Sequence, residues 1–255
     1  MKSEKIDLQP VQQLLNKHIQ HMEPYEIEFR GFRLLLHPEV FNPAYTRVSG
    51  FLMDNIEIRP NESCLEMFSG CGALAFIAGQ YASRVVGVEI SPIAVEYSRI
   101  NTQRLGLNEK VFFRQGSMWS ALDPDEKFDV IFANPPLLPV EPESLLEMAV
   151  ADSPEMRLTQ EFIRGAARHL TEGGSRIYMA FSNACEPYVG DPLAFISQLS
   201  NAADLDMRVK AEWDVGYEVY RVLEFHPKQL LTSLLTSNKQ ECDNQSPGLF
   251  IPTDF

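Results

Sequence analysis

The stretch Ser63-Cys64-Leu65-Glu66-Met67-Phe68 runs straight into Ser69-Gly70-Cys71-Gly72, and a helical pattern follows. An apolar strand ending in paired glycines places backbone without Cβ atoms at the carboxyl edge of a sheet, where open α/β folds bind their ligands. A glycine turn alone would serve equally as a tight strand-to-helix connection, so its neighbours decide. From residue 62 onward short apolar runs alternate with helical patterns. Strands are predicted near 63–68, 84–89, 111–115, 128–133 and 175–181, and helices near 72–81, 92–105, 155–171 and 192–203. That alternation predicts a parallel sheet with helices on both faces. Two further β-rich runs, 207–215 and 218–225, are separated by Gly216 and Tyr217 and predict an antiparallel hairpin that ends the sheet. The expected fold class is α/β, with a seven-stranded, mostly parallel sheet.

The second strand ends in Glu89, 23 positions after Glu66. Nucleotide folds place a carboxylate at this distance to accept hydrogen bonds from ribose hydroxyls. Ser91 can cap the next helix and Pro92 can occupy its first turn. A strand-end charge in water is the alternative for Glu89, but glycine turn, spacing and cap together favour a ligand. A dinucleotide dehydrogenase shares this logic. The next motif separates the two: the apolar run 129–133 delivers Asn134-Pro135-Pro136-Leu137 to the same sheet edge. Two prolines fix φ and remove donors, leaving a rigid loop whose carbonyls are acceptors. In isolation Asn-Pro-Pro would be a turn that stops a strand.

With Glu66 to Gly72, Val86 to Ser91, Gln115-Gly116-Ser117 and Phe128 to Leu137 in this order, residues 37–226 resemble the class I S-adenosylmethionine-dependent methyltransferases. The resemblance is to the branch with an Asn-Pro-Pro-aromatic motif, which includes release-factor glutamine methyltransferases and adenine or guanine N-methyltransferases. It implies a Rossmann-like domain and S-adenosyl-L-methionine as cofactor. Glu66, Gly70 and Gly72 would hold the amino-acid end of that cofactor, Glu89 the ribose and Ile90 the adenine, with Met118 flanking the ring. Ser117 stands where the family usually has an acidic residue, and its hydroxyl accepts a bond without charge assistance. Phe68 stands where glycine is frequent. The Asn134 side-chain oxygen and the Pro135 carbonyl would each accept an N–H bond from the substrate. They would orient a nitrogen whose lone pair is otherwise delocalised, so that positioning replaces a strong general base. Asn134, Pro135, Pro136 and Leu137 form the candidate catalytic set, and Asn134 also borders the cofactor. Leu137 replaces the usual aromatic residue and offers apolar contact without a π-face. That favours an amide or amine nitrogen of a protein side chain or small molecule over a flipped base. RNA or DNA base N-methylation is the alternative, and an inactive methyltransferase-like scaffold, binding a partner through its N-terminal helix or C-terminal tail, is another.

Composition bounds these readings. With 255 residues and 45% hydrophobic content, the chain suits one large α/β domain with small extensions. A formal charge of −13 gives no general attraction to phosphate backbones or anionic lipid. Nucleic-acid binding would need a local basic face, for which Arg30, Arg33, Arg99, Arg104, Lys110 and Arg114 are the candidates. No run approaches the roughly 20 apolar residues of a membrane span, and a cytoplasmic protein with no membrane partner is expected. Cys64, Cys71, Cys185 and Cys242 show no metal or disulfide spacing and none follows a proline, as cytosine C5 methylation would require. His18, His21, His37, His169 and His226 give no ligand cluster, with His18 and His21 read as a partly exposed helix face; no metal is expected.

Residues 8–22, with Leu8, Val11, Leu14, Leu15, Ile19 and Met22 at helical spacing, predict one amphipathic helix. Residues 25–36 predict a β-hairpin turning at Arg30-Gly31, and 45–56 a helix. The expected organisation is an extension over 1–36, a methyltransferase domain over 37–228 and a tail over 229–255 with a short helix at 230–235. Glu141, Glu143, Glu147 and Asp152 either line the site entrance or form a solvated face.

Overall fold

The structure is a computed structural model that describes residues 9–18 and 20–228. After α1 (Gln9–His18), a hairpin of β1 (Tyr25–Phe29) and β2 (Phe32–Leu36) leads through a 3-10 turn to α2 (Val48–Asp54). The central run is β3 (Ser63–Met67), α3 (Ala73–Ala78), β4 (Arg84–Glu89), α4 (Pro92–Arg104), β5 (Val111–Gln115) and β6 (Val130–Ala133). Two short strands, β7 (Leu138–Pro139) and β8 (Ala151–Asp152), bracket the one-turn helix α5 (Leu145–Met148). The chain continues with α6 (Arg157–Ala166), β9 (Arg176–Ser182), α7 (Glu186–Val189), α8 (Pro192–Ala202), β10 (Leu205–Asp214) and β11 (Val219–Pro227).

The main sheet has seven strands in the order β10-β11-β9-β6-β3-β4-β5. Strands β5, β4, β3, β6 and β9 run parallel; β11 is antiparallel to β9 and carries β10 as its hairpin partner. The expected α/β architecture and terminal hairpin are therefore present. Strand alternation splits the core into two layers, because successive side chains point to opposite faces. Cys64, Val85, Val130 and Phe132 pack with Leu52, Phe76 and Tyr178 on one face. Leu65, Val86, Ile131 and Ala133 pack with Phe162, Phe181 and Ile196 on the other. The N-terminal hairpin joins the first layer through fully buried Leu34 and Leu36. Its turn uses φ of 48° at Arg30 and 83° at Gly31, the two positive values that match the twist of a tight hairpin.

The chain leaves β3 toward β4 and β5, then returns to place β6 on the other side of β3. This switch point opens a crevice at the carboxyl ends of β3 and β6.

Several boundaries differ from the sequence expectation. The first helix stops at His18 and Met22 is 87% exposed, so the apolar face does not extend that far. The side chains of Leu8, Val11, Leu14 and Ile19, and the tail over 229–255, lie outside the described residues. His18 is buried, not on an exposed face: its Nε2 accepts the Asn42 N–H at 2.9 Å and its ring stacks on Phe41. The helix expected at 45–56 begins at Val48, because Asn42 caps a separate 3-10 turn over Pro43–Tyr45 by accepting from Ala44 N. The helix expected to reach 171 gives way after Ala166 to a 3-10 turn over Ala167–His169. No helix among the described residues is long and apolar enough to cross a membrane. Nor do they hold a group of three or more His, Cys, Asp or Glu side chains placed for a metal.

Candidate active site

A cavity of about 670 Å³ occupies the switch-point crevice, walled on one side by the β3–α3 loop and on the other by the Asn-Pro-Pro loop. The β3–α3 loop is held by carboxylates. Glu89, at the end of β4, accepts from Gly70 N at 2.8 Å through Oε2 and from Ser91 N at 2.9 Å through Oε1. Ser98 Oγ donates to the Gly70 carbonyl at 3.0 Å, so both backbone groups of Gly70 are fixed. Glu66 is 2% exposed and its Oε2 accepts the Ala75 N–H at 2.8 Å, at the start of α3. Burial pushes the Glu66 carboxyl well above the usual carboxylate range, against the Ala75 bond and with help from the Glu89 charge. Burial also raises Glu89, opposed by its backbone donors.

The two glycines of the loop do different work. Gly70 has φ of 50° and lines the cavity, and a Cβ there would meet nothing within 4 Å. Gly72 has φ of 80° and lies behind the cavity wall, where a Cβ would stand 2.4 Å from the Phe113 ring. Its missing side chain makes room for packing, whereas the sequence reading placed it with Gly70 on the cofactor. Phe68 adopts φ of 60°, the left-handed conformation that explains why glycine suits this position. Phe68 lines the cavity, as do Ile90, 44% exposed, Ser117 and the buried Met118. The capping expectation holds as well: Ser91 Oγ accepts from Ala94 N at 3.3 Å, with Pro92 in the first turn. Glu66, Gly70, Glu89 and Ile90, the positions at which the resemblance implies the amino-acid end, ribose and adenine of S-adenosylmethionine, thus line one cavity together.

On the opposite wall, Asn134 donates from Nδ2 to Ser49 Oγ at 3.0 Å. Pro135 and Pro136 are buried and Leu137 is half-buried, all three lining the cavity with Asn134. The backbone beyond is pinned because Leu137 N and Leu138 N both donate to the Val150 carbonyl, at 3.1 and 3.0 Å. This half is completed by Tyr45 from the N-terminal side and by Trp213, Tyr217 and Tyr220 from the β10–β11 hairpin. Trp213 packs against Tyr220 at 5.7 Å and against Phe51 of α2 at 5.8 Å between ring centroids. Ser49, Tyr45, Trp213 and Tyr220 escape the sequence reading. The hairpin aromatics were visible as strand residues, but nothing in the sequence ties them to the crevice, and Ser49 carries no local signal.

The acidic segment after the motif does not form the entrance. Asp152 is 1% exposed and accepts from the backbone N–H groups of Ser153, Leu158 and Thr159, which anchors α6. Glu141 pairs with Arg157, Glu147 accepts from Glu143 N, and none of these four acidic residues lines the cavity. Four of the six candidate basic residues are in ion pairs: Arg30 with Asp54, Arg33 and Arg104 with one shared Glu26, and Arg114 with Glu126, which Arg84 also shares. Arg99 donates to the Phe113 carbonyl.

Residues 58–221 match the model of a family described as a methyltransferase domain. A Methanocaldococcus jannaschii protein, provisionally named a protein N5-glutamine methyltransferase, is 32% identical over 154 residues, covering 58% of this chain and 75% of that protein. The release factor glutamine methyltransferase of Rhodopirellula baltica is 30% identical over 136 residues, 51% of this chain and 43% of its own length. The match thus spans under half of that longer relative. Among solved structures, a methyltransferase from Pyrococcus furiosus superposes with a TM-score of 0.56 at 19% identity, covering 87% of this chain and all of that one. Methanocaldococcus jannaschii Trm5 in complex with adenosine superposes at 0.58 and 18% identity, covering 82% and 58% of the two chains. These likenesses establish the Rossmann-like fold, and the family match places the chain among the class I S-adenosylmethionine-dependent methyltransferases of the Asn-Pro-Pro branch.

Proposed function

We propose that this methyltransferase acts on an amide nitrogen of a protein side chain. The observation that carries the reading is the Asn134 amide, whose Nδ2 is committed to Ser49 while the side chain borders the cavity between buried prolines and the cofactor loop. With Nδ2 so engaged, Oδ1 is the end left to accept an N–H from the substrate. The Pro135 carbonyl is the second acceptor. Two acceptors on one nitrogen fix its rotation and draw its lone pair out of conjugation, so the chain contributes orientation rather than proton abstraction. Bound S-adenosylmethionine supplies a methyl group already activated on a sulfonium. Glu66 and Glu89 supply the carboxyl groups of the cofactor wall.

The protein-side-chain acceptor is supported by the names of the relatives, which act on glutamine. It is also supported by the aromatic and apolar lining of the cavity beside Asn134. Free, buried thiols at Cys64, Cys71 and Cys185 suit a reducing compartment, in keeping with a cytoplasmic setting.

Calorimetric titration with S-adenosylhomocysteine, followed by radiolabelled methyl transfer to separated protein, RNA and metabolite fractions, tests the reading. Binding with label in protein is the expected result. Label in RNA alone would replace the acceptor class, and absence of binding would leave a scaffold. Asn134→Ala should retain cofactor binding and lose turnover about 100-fold.

A further inference from the structure

We infer that Ser49 is a positioning residue for methyl transfer, acting through Asn134; this rests on the amide-methylating reading above. Ser49 is 2% exposed, lines the cavity, and places its Oγ 3.0 Å from Asn134 Nδ2 across 85 residues of sequence. An asparagine amide has two nearly isosteric orientations, and only the one with oxygen toward the substrate can accept an N–H. With –NH2 forward, donor would face donor and the acceptor nitrogen would be repelled. The Ser49 hydroxyl, which can partner either end of the amide, here accepts from the –NH2 group, so this orientation leaves Oδ1 for the substrate and the Nδ2 donor partnered.

Ser49 is itself held rigidly. Leu52 is fully buried, and Val48 and Met53 also join the core layer beneath α2. The Arg30 guanidinium reaches from the N-terminal hairpin to the Gly50 carbonyl at 3.0 Å and to both Asp54 carboxylate oxygens at 2.6 Å. Phe51 packs on Trp213 of the acceptor wall. The helix that presents Ser49 is thereby clamped between the hairpin, the sheet and the acceptor pocket. A hydroxyl on such a support holds the amide in a fixed place.

The test compares Ser49→Ala, Ser49→Thr, Asn134→Ala and the double variant in single-turnover and steady-state methyl transfer to the protein fraction labelled by the wild type. Ser49→Ala should lower kcat about 10- to 100-fold, while S-adenosylhomocysteine affinity, the acceptor KM and the melting temperature stay close to wild type. Ser49→Thr, which keeps the hydroxyl, should recover most of the rate. The double variant should be no slower than Asn134→Ala alone, since Ser49 acts only through that amide. Wild-type kcat in Ser49→Ala, or losses that multiply in the double variant, would overturn the inference while leaving the methyltransferase assignment intact. Failure of the wild type to bind S-adenosylhomocysteine and transfer label would instead remove the parent reading, and this inference with it.

Discussion

Replacing Gly72 with alanine should cost stability rather than cofactor affinity, the reverse of what the glycine-loop motif implies. The new Cβ would lie 2.4 Å from Phe113 Cζ, 2.9 Å from Cε1 and 3.1 Å from Phe76 Cζ. Phe113 cannot withdraw along the sheet, because it also covers Gly87, where a Cβ would sit 2.5 Å from two of its ring atoms. At φ of 80°, an L-residue costs ~1–2 kcal/mol, and forcing an extra methyl into a filled core adds ~1–3 kcal/mol. The total of ~2–5 kcal/mol corresponds to a fall in melting temperature of roughly 4–20 °C for a protein of this size. Gly70→Ala is the matched control: its Cβ meets open space, so only the strain of φ 50°, about 1 kcal/mol, applies. Because Gly70 lines the cavity, that variant should instead weaken S-adenosylhomocysteine binding by tenfold or more, a loss of about 1.4 kcal/mol. Thermal melts and calorimetry at 15 °C separate the two effects. Phe113→Leu in the Gly72→Ala background should restore part of the stability by relieving the clash. If Gly72→Ala melts within about 2 °C of wild type, or loses affinity more than Gly70→Ala does, the packing explanation is wrong.

Three other perturbations test separate parts of the structure. Glu66→Gln should melt above wild type at pH 8, with the gap closing toward pH 4: burial raises the folded-state carboxyl, so its stability penalty grows as pH rises above the ordinary value. The glutamine carbonyl can still accept from Ala75 N, and equal melting at both pH values would refute this account. Arg176→Met should lower the unfolding free energy by ~1.5–3 kcal/mol in urea titrations at pH 7, since Glu62 loses a two-point pair at 2.8 Å and keeps the Arg59 N–H as its partner. Burial pushes Glu62 up, but the hydrogen bonds and charge of Arg176, together with the Arg59 N–H and charge, outweigh it and hold the carboxyl below its usual range, so the difference between variant and wild type should shrink as pH falls through that lowered value. Trp213→Ala should raise the acceptor KM about tenfold, the equivalent of ~1.4 kcal/mol of apolar contact, with S-adenosylhomocysteine affinity unchanged; an effect on cofactor binding alone would move Trp213 out of the acceptor half.

The parallel sheet was legible because inner strands such as β4 and β6 are buried on both faces and read as mostly apolar runs. Strands β4 and β5 fall at the expected boundaries, 84–89 and 111–115. Helix ends were less legible. Residues 167–169 keep a helical pattern, yet the chain tightens there into a 3-10 turn, and Leu170 then forms a strand-like bridge with Phe128. Such an ending depends on the strand that the helix must feed. His18 illustrates the same limit on burial. A histidine at helical spacing looks like surface until Phe41 and Tyr45 fold over it, and both arrive from a loop more than 20 residues downstream.

The same physics divides the candidate site. Glu66 and Glu89 sit at the carboxyl ends of β3 and β4, and Gly70, Ile90, Ser117 and Asn134 within three residues beyond a strand end, so parallel pairing gathers them at one edge whatever the remainder of the chain does. Local motifs therefore locate the cofactor half. The acceptor half has no such guarantee. Ser49 and Tyr45 lie before residue 58, where the family match begins, while Trp213 and Tyr220 lie at its far end on an antiparallel hairpin. Their convergence on Asn134 requires α2, the N-terminal hairpin and the last two strands to be packed together. Family resemblance accordingly carries the cofactor chemistry, whereas the cavity wall beside Asn134 is built from elements that are partly outside the matched span. Substitutions at Ser49 or Trp213 should thus alter turnover or acceptor preference in this chain with little effect on the affinity for cofactor that its relatives share.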